Sequence, residues 1–295
     1  MTKICCLPKN SYQPVAFTPP PLACDSHVHV FGPFAKYPLS DDRSYTPAEF
    51  SADDFMAHLK RIGFSRGVLV TASVCGTNNG AILEGLRQYP DQFRGVVVCS
   101  ADVTDAELDD WHALGVRGVR FNLLRKNGKA VYRNGVGLEV LEQLAPRMAA
   151  RGWHAQIWAH APDILELAPR LLACHLPLVF DHMGRMDTVN GISHPGFQEL
   201  LRLVGEGLAW VKISGADRIR ATLDSYDDVD PFAKALIQAN MERVVWGTDW
   251  PHINYFDERA IPDDGDLTNL LLRWLPSEKD REQILVRNPA LLYGF

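Results

Sequence analysis

Two short motifs at opposite ends of this chain constrain its fold more than anything between them. Near the start, residues 23–32 read Ala-Cys-Asp-Ser-His-Val-His-Val-Phe-Gly, which sets His27 and His29 two apart. Near the end, residues 243–252 read Arg-Val-Val-Trp-Gly-Thr-Asp-Trp-Pro-His, an apolar run that closes on Asp249 and His252. Side chains two apart on a β-strand leave the same face, so both imidazoles would project into one space. An acid and two imidazoles on strands this far apart in sequence meet only if the sheet closes on itself. The expectation is a barrel with a polar site at its mouth.

The rest of the chain supplies the missing strands. Short apolar runs fall at 23–30, 67–72, 93–99, 115–123, 154–159, 178–181, 208–213 and 243–247. Amphipathic stretches of helical spacing separate most of them, and Thr104 with Glu107 reads as a capping box opening one. Strands alternating with helices predict an α/β fold with a parallel sheet. The length suits a single-domain (β/α)8 TIM barrel, which typically takes ~250 residues. A doubly wound open sheet is the competitor, but no glycine-rich phosphate turn follows the first run. Residues 1–21, with Pro8, Pro14 and Pro19 to Pro21, read as a proline-rich arm laid over a barrel domain spanning 22–295.

Charge and cysteine content narrow the function. A formal net charge of −6 gives no basic footprint for nucleic acid or an anionic membrane. Six cysteines without CxxC spacing read as reduced thiols. With no apolar stretch resembling a signal peptide or membrane span, the expectation is a cytoplasmic enzyme acting on a small molecule, as a monomer or small homo-oligomer.

Catalytic groups of a (β/α)8 barrel sit at the C-terminal ends of its strands. The residues there are Asp25, His27 and His29; Ser73 and Thr77; Arg120 and Asn122, with Arg125 and Lys126 beyond; Gln156, Trp158 and His160; Asp181, His182 and Arg185; Lys212, Ser214, Asp217 and Arg218; and Asp249 and His252. Asp181 reads as structural, orienting a neighbouring histidine. His58, His112, His175 and His194 lie in helical or loop settings and carry no site role. No base lies near Cys75 to make it a nucleophile. Two chemistries fit. In one, His27, His29, His182 and Asp249 hold a divalent ion, zinc or manganese, that generates hydroxide. In the other no cofactor is used: Asp249 activates water and the histidines polarise a carbonyl. Arg120, Arg125, Arg185 and Arg218 suit a substrate bearing carboxylates.

Five motifs in register then carry a resemblance: Asp-Ser-His-Val-His-Val-Phe-Gly, Ala-Ser-Val-Cys-Gly-Thr-Asn-Asn, Gly-Val-Arg-Phe-Asn, Asp-His-Met-Gly-Arg and Trp-Gly-Thr-Asp-Trp-Pro-His, followed by Ala-Ile-Pro-Asp-Asp-Gly. Over about residues 22–295 the chain resembles the amidohydrolase superfamily, and within it the 2-pyrone-4,6-dicarboxylate lactonases. The resemblance implies a distorted (β/α)8 barrel and metal-free hydrolysis of a dicarboxylic pyrone lactone in aromatic catabolism. It implies Asp249 as the water-activating base, with His27, His29 and His182 around the lactone carbonyl. Arg120, Arg185 and Arg218 would hold carboxylates, and Tyr45, Ser73 and Thr77 would complete the pocket. Arg125, Lys126, Trp158 and His252 are further expected substrate contacts. Three positions depart from the pattern: Cys75 replaces a histidine, Trp158 a tyrosine and Lys126 an arginine. They bear on which ring is bound. Sugar-acid lactones, substituted muconolactones, lactone isomerisation, and a metal-dependent amidohydrolase or decarboxylase are the alternatives.

Overall fold

A computed structural model of the chain describes residues 2–126, 129–131 and 135–295. Among these, one parallel sheet contains Cys24–Val28 (β1), Arg66–Val70 (β2), Phe93–Val97 (β3), Val116–Asn122 (β4), His154–Trp158 (β5), Leu178–Phe180 (β6), Ala209–Lys212 (β7) and Val244–Val245 (β8). Each pairs with its neighbours in chain order, and each lies within one of the eight apolar runs except β2, which starts one residue early at Arg66.

Helices alternate with these strands: Ala52–Ile62 (α1), Gly80–Gln88 (α2), Asp105–Ala113 (α3), Leu138–Ala149 (α4), Ala161–Ala173 (α5), Pro195–Gly205 (α6), Asp230–Asn240 (α7) and Asp264–Trp274 (α8). The first shows why the sequence does this. Ser51 accepts from the Asp54 amide while the Asp54 carboxylate returns to the Ser51 amide, a complete capping box. Buried Ala52, Phe55, Leu59 and Ile62 then recur at helical spacing and form the stripe that packs on the sheet. Thr104 and Glu107 make the second capping box at α3. No helix among the described residues is long and apolar enough to cross a membrane.

β8 and β1 are not joined by a ladder, but three backbone bonds close the seam. The Ser26 amide donates to Trp246 O at 2.8 Å, Asp249 to His27 O at 2.9 Å, and His29 to Trp250 O at 2.9 Å. Gly247 is what lets the two ends approach: a Cβ there would lie 2.6 Å from the His27 amide nitrogen. Asp25 stitches the same seam, accepting from the Thr248 amide at 3.0 Å and its hydroxyl at 2.5 Å. The two terminal motifs are thereby locked together.

The N-terminal arm is more ordered than its prolines suggest. Lys3–Ile4 pairs in parallel with Tyr45–Thr46. Further along, Tyr12 hydrogen-bonds His58 and Gln13 donates to Asp263.

Candidate active site

At the seam, Asp249 takes a left-handed backbone (φ 66°), a conformation that Asp tolerates better than most residues. Its Oδ1 faces three imidazoles: Nε2 of His29 at 3.4 Å, of His27 at 3.6 Å and of His182 at 3.9 Å. Its Oδ2 accepts from Arg218 Nε at 2.5 Å. Burial alone would raise this carboxyl, but the Arg218 guanidinium, then His182, outweigh it and hold Asp249 well below the usual carboxylate range.

Each imidazole is anchored differently. His29 Nδ1 lies 2.7 Å from Val70 O, and since a carbonyl only accepts, that nitrogen carries the hydrogen. His182 follows β6 in a run of left-handed residues, His182, Met183, Gly184 and Arg185, which turns the chain sharply. Its Nδ1 meets Ser214 Oγ at 2.9 Å, and burial pushes the ring down to about 4, so it is neutral at ordinary pH. Burial, reinforced by Lys212, lowers His27 well below the ordinary histidine value.

Beneath this layer Asp181 is the hub of a buried network. It lies 3.2 Å from His27 Nδ1 and accepts from Arg120 Nε and Gln156 Nε2, each at 3.1 Å. Lys212 Nζ sits 3.5 Å away. Burial opposes the charged carboxylate, but His27, Lys212 and Arg120 together keep it well below the usual range.

A small cavity opens above Asp249, lined by His29, Tyr45, Ser73, Arg120, Trp158, His182, Arg218 and Asp249. Asn122, Ile253 and Asn254 complete the lining. The guanidinium of Arg120 lies 5.2 Å from the Trp158 ring and that of Arg185 5.9 Å, while His182 meets the same ring edge-on at 4.9 Å. Arg185 does not line the cavity itself; it donates to the backbone carbonyl of Arg218. His27 lies below the floor, fully buried.

Other expected contacts lie elsewhere. Thr77 is exposed on the loop after β2, and Arg125 is exposed on a two-strand hairpin with Lys129–Ala130. The side chain of Lys126 lies outside the described residues. His252 is buried behind the site, with Nε2 2.9 Å from Asp264 Oδ1. His58, given no role from sequence, joins that same buried cluster, 3.8 Å from Asp264. Cys75 packs beside Phe31 and Tyr45, and burial pushes its thiol up to about 12, so no thiolate is available there.

Asn122, Gln156 and Lys212 were visible as strand-end polar residues, with nothing to assign them a task. Ile253 and Asn254 had no sequence signal beyond following Asp249 closely.

His27, His29 and Asp249 bring ligand atoms within reach of one ion, as do His27, Asp181 and His182. A metal-bound imidazole hands its other ring N–H to an acceptor. His29 does so at Val70; at His27 the group hydrogen-bonded to Nδ1 is the ammonium of Lys212, which has nothing to accept with. One Asp249 oxygen is already taken by a guanidinium. The set therefore does not fit an ion at His27.

Comparison with known proteins adds an independent line. The family model described as "Amidohydrolase" matches residues 24–295. A 4-sulfomuconolactone hydrolase of Rhizobium radiobacter is 37% identical over 293 residues, covering 97% of this chain and 95% of that protein. A 2-pyrone-4,6-dicarboxylate hydrolase of Comamonas testosteroni is 35% identical over 94% of this chain and 92% of its own. Among solved structures, a probable 2-pyrone-4,6-dicarboxylic acid hydrolase of Acinetobacter baumannii, with citric acid bound, superposes with a TM-score of 0.77. It is 29% identical and covers 93% of this chain and all of its own.

Proposed function

The chain belongs to the amidohydrolase family, and from that membership we propose that it hydrolyses a small lactone bearing carboxylate groups, with Asp249 as the base and no metal. The observation that carries this reading is the Asp249 carboxylate, one oxygen turned to three imidazole Nε2 atoms and the other tied to a guanidinium, at the floor of the cavity.

The parts divide the work. With Nδ1–H committed to Val70, His29 turns its Nε2 toward Asp249 Oδ1, 3.4 Å away. A water seated above both, within hydrogen-bond reach of Asp249 Oδ1, has its oxygen aimed at the lactone carbonyl carbon. Asp249 takes the water's proton as the new C–O bond forms. The carbonyl oxygen becomes an oxyanion, stabilised by the neighbouring imidazoles. The ring C–O bond then breaks, and the departing ring oxygen takes the proton from Asp249. The products are one opened chain and one new carboxyl group.

Arg120 and Arg218 face the cavity with part of each guanidinium used by an aspartate, and the remaining N–H groups suit a substrate carboxylate. Trp158 among the lining residues offers an aromatic contact to a planar ring, which makes 2-pyrone-4,6-dicarboxylate the leading substrate and a substituted muconolactone the second. Incubation with both in ¹⁸O-labelled water tests this by mass spectrometry. The expected product is ring-opened and carries one label per turnover; an unchanged pool of both lactones would overturn the proposal.

A further inference from the structure

Lys212 ends β7 with its side chain fully buried, and nothing in the chemistry so far uses it. Its Nζ is surrounded by acceptors: Ser26 O at 3.0 Å, Gln156 Oε1 at 2.8 Å and His27 Nδ1 at 3.2 Å. The orientation of the Gln156 amide is fixed independently, because its Nε2 donates to Asp181 Oδ2, which leaves Oε1 for the lysine. Two of the three partners can only accept, and the Asp181 carboxylate 3.5 Å away favours the charged form, so the lysine sits here as an ammonium with a third hydrogen to give. The third hydrogen then goes to His27 Nδ1. Asp181 Oδ1 lies the same 3.2 Å from that nitrogen, but makes no hydrogen bond in this geometry.

A nitrogen that accepts from an ammonium carries no hydrogen of its own. In neutral His27 the ring hydrogen is therefore on Nε2, which is buried and has no hydrogen-bond partner among the described residues. We propose that Lys212 is a positioning residue for lactone hydrolysis: it holds His27 in the Nε2–H form, so that this hydrogen faces Asp249 Oδ1, 3.6 Å away beneath the cavity. Without Lys212 the ring is free to turn its hydrogen on Nδ1 toward Asp181, and Nε2 would then face the Asp249 carboxylate with a lone pair. His27 and His29 thus differ on one strand: His29 gives its Nδ1 hydrogen to Val70 O, while His27 keeps its hydrogen on Nε2. The role in catalysis rests on the lactonase reading above; the tautomer does not.

The test combines a spectroscopic readout with kinetics. In ¹⁵N-histidine-labelled wild-type protein, the His27 ring signals are identified by their absence from His27→Gln. The expected result is a protonated Nε2 and an unprotonated, hydrogen-bonded Nδ1; a protonated Nδ1 would overturn the proposal whether or not the protein hydrolyses any lactone. In Lys212→Met the ring hydrogen should move to Nδ1, kcat should fall roughly 10–100-fold and KM should stay within about 3-fold, the scale seen when the partner of an active histidine is removed. A variant that keeps the wild-type tautomer and kcat contradicts the assignment. Should Lys212→Met fail to fold, the wild-type spectrum still decides. A correct tautomer in a protein inert toward lactones would refute the proposed activity alone.

Discussion

Arg218 donates its Nε–H to Oδ2 of Asp249 at 2.5 Å, and this one bond sets the character of the site. It turns the other carboxylate oxygen toward the imidazoles and keeps the acid ionised in a buried place where an isolated carboxylate would be protonated. The same guanidinium lies 4.9 Å from the Tyr255 ring and donates Nη2 to Ile253 O, so its position is fixed from several sides.

Removing that bond should change both binding and basicity. In Arg218→Met, KM for the anionic lactone should rise about 10–100-fold, the scale of a lost charge-assisted hydrogen bond of ~1.5–3 kcal/mol. The base works only when ionised, and its carboxyl is held low partly by Arg218. Loss of the guanidinium raises that value, so the acid limb of the kcat/KM profile should move to higher pH. A limb that stays in place or moves down contradicts the pairing.

Acid should unfold the protein through its buried histidines. Burial lowers His58 and His182 to about 4, against an unfolded value near ~6.5. Between those values the unfolded chain binds protons that the native rings refuse, so stability is intact above about pH 6.5 and is lost as the pH falls toward 4. At ~1.4 kcal/mol per pKa unit, each ring withdraws up to about 3 kcal/mol. His252, raised because Asp264 outweighs the effect of its burial, acts in the opposite direction and offsets part of the loss. Melting curves should show Tm dropping by roughly 10 °C between pH 7 and 4.5, given ~2–4 °C per kcal/mol for chains of this size class. A flat profile contradicts neutral buried rings.

Chelation should leave the reaction untouched. Prolonged treatment with a strong chelator, followed by elemental analysis, is expected to leave kcat within about 2-fold, because neither base nor oxyanion donor in this account is a metal. A loss of turnover that stoichiometric zinc or manganese restores would refute metal-free catalysis.

The barrel was legible because its evidence is local and repeated. Each strand of the barrel overlaps an apolar run, and Ser51 and Thr104 announce their helices through capping boxes that the structure contains. The site was legible only where chemistry is concentrated in short motifs. His27, His29 and Asp249 could be brought together on paper, since strand alternation and barrel closure leave them no other place. His252 illustrates the limit: it lies three residues from Asp249, yet the left-handed turn at Asp249 and His252 itself sends it behind the barrel to Asp264. Arg125 and Thr77 lie on loops, where spacing carries no information about direction. Lys212 looked like one polar strand end among many, and only three-dimensional contact with Ser26, Gln156 and His27 gives it a task.

The most direct test of the account is the turnover of Asp249→Asn on 2-pyrone-4,6-dicarboxylate and on a substituted muconolactone, whichever the wild type opens faster. The amide keeps the size of the side chain and removes the base. The account predicts a kcat lower by about 10²–10⁴-fold, the contribution typical of general acid–base catalysis, in a protein whose fold is unchanged by circular dichroism. Turnover within a few-fold of wild type would contradict it.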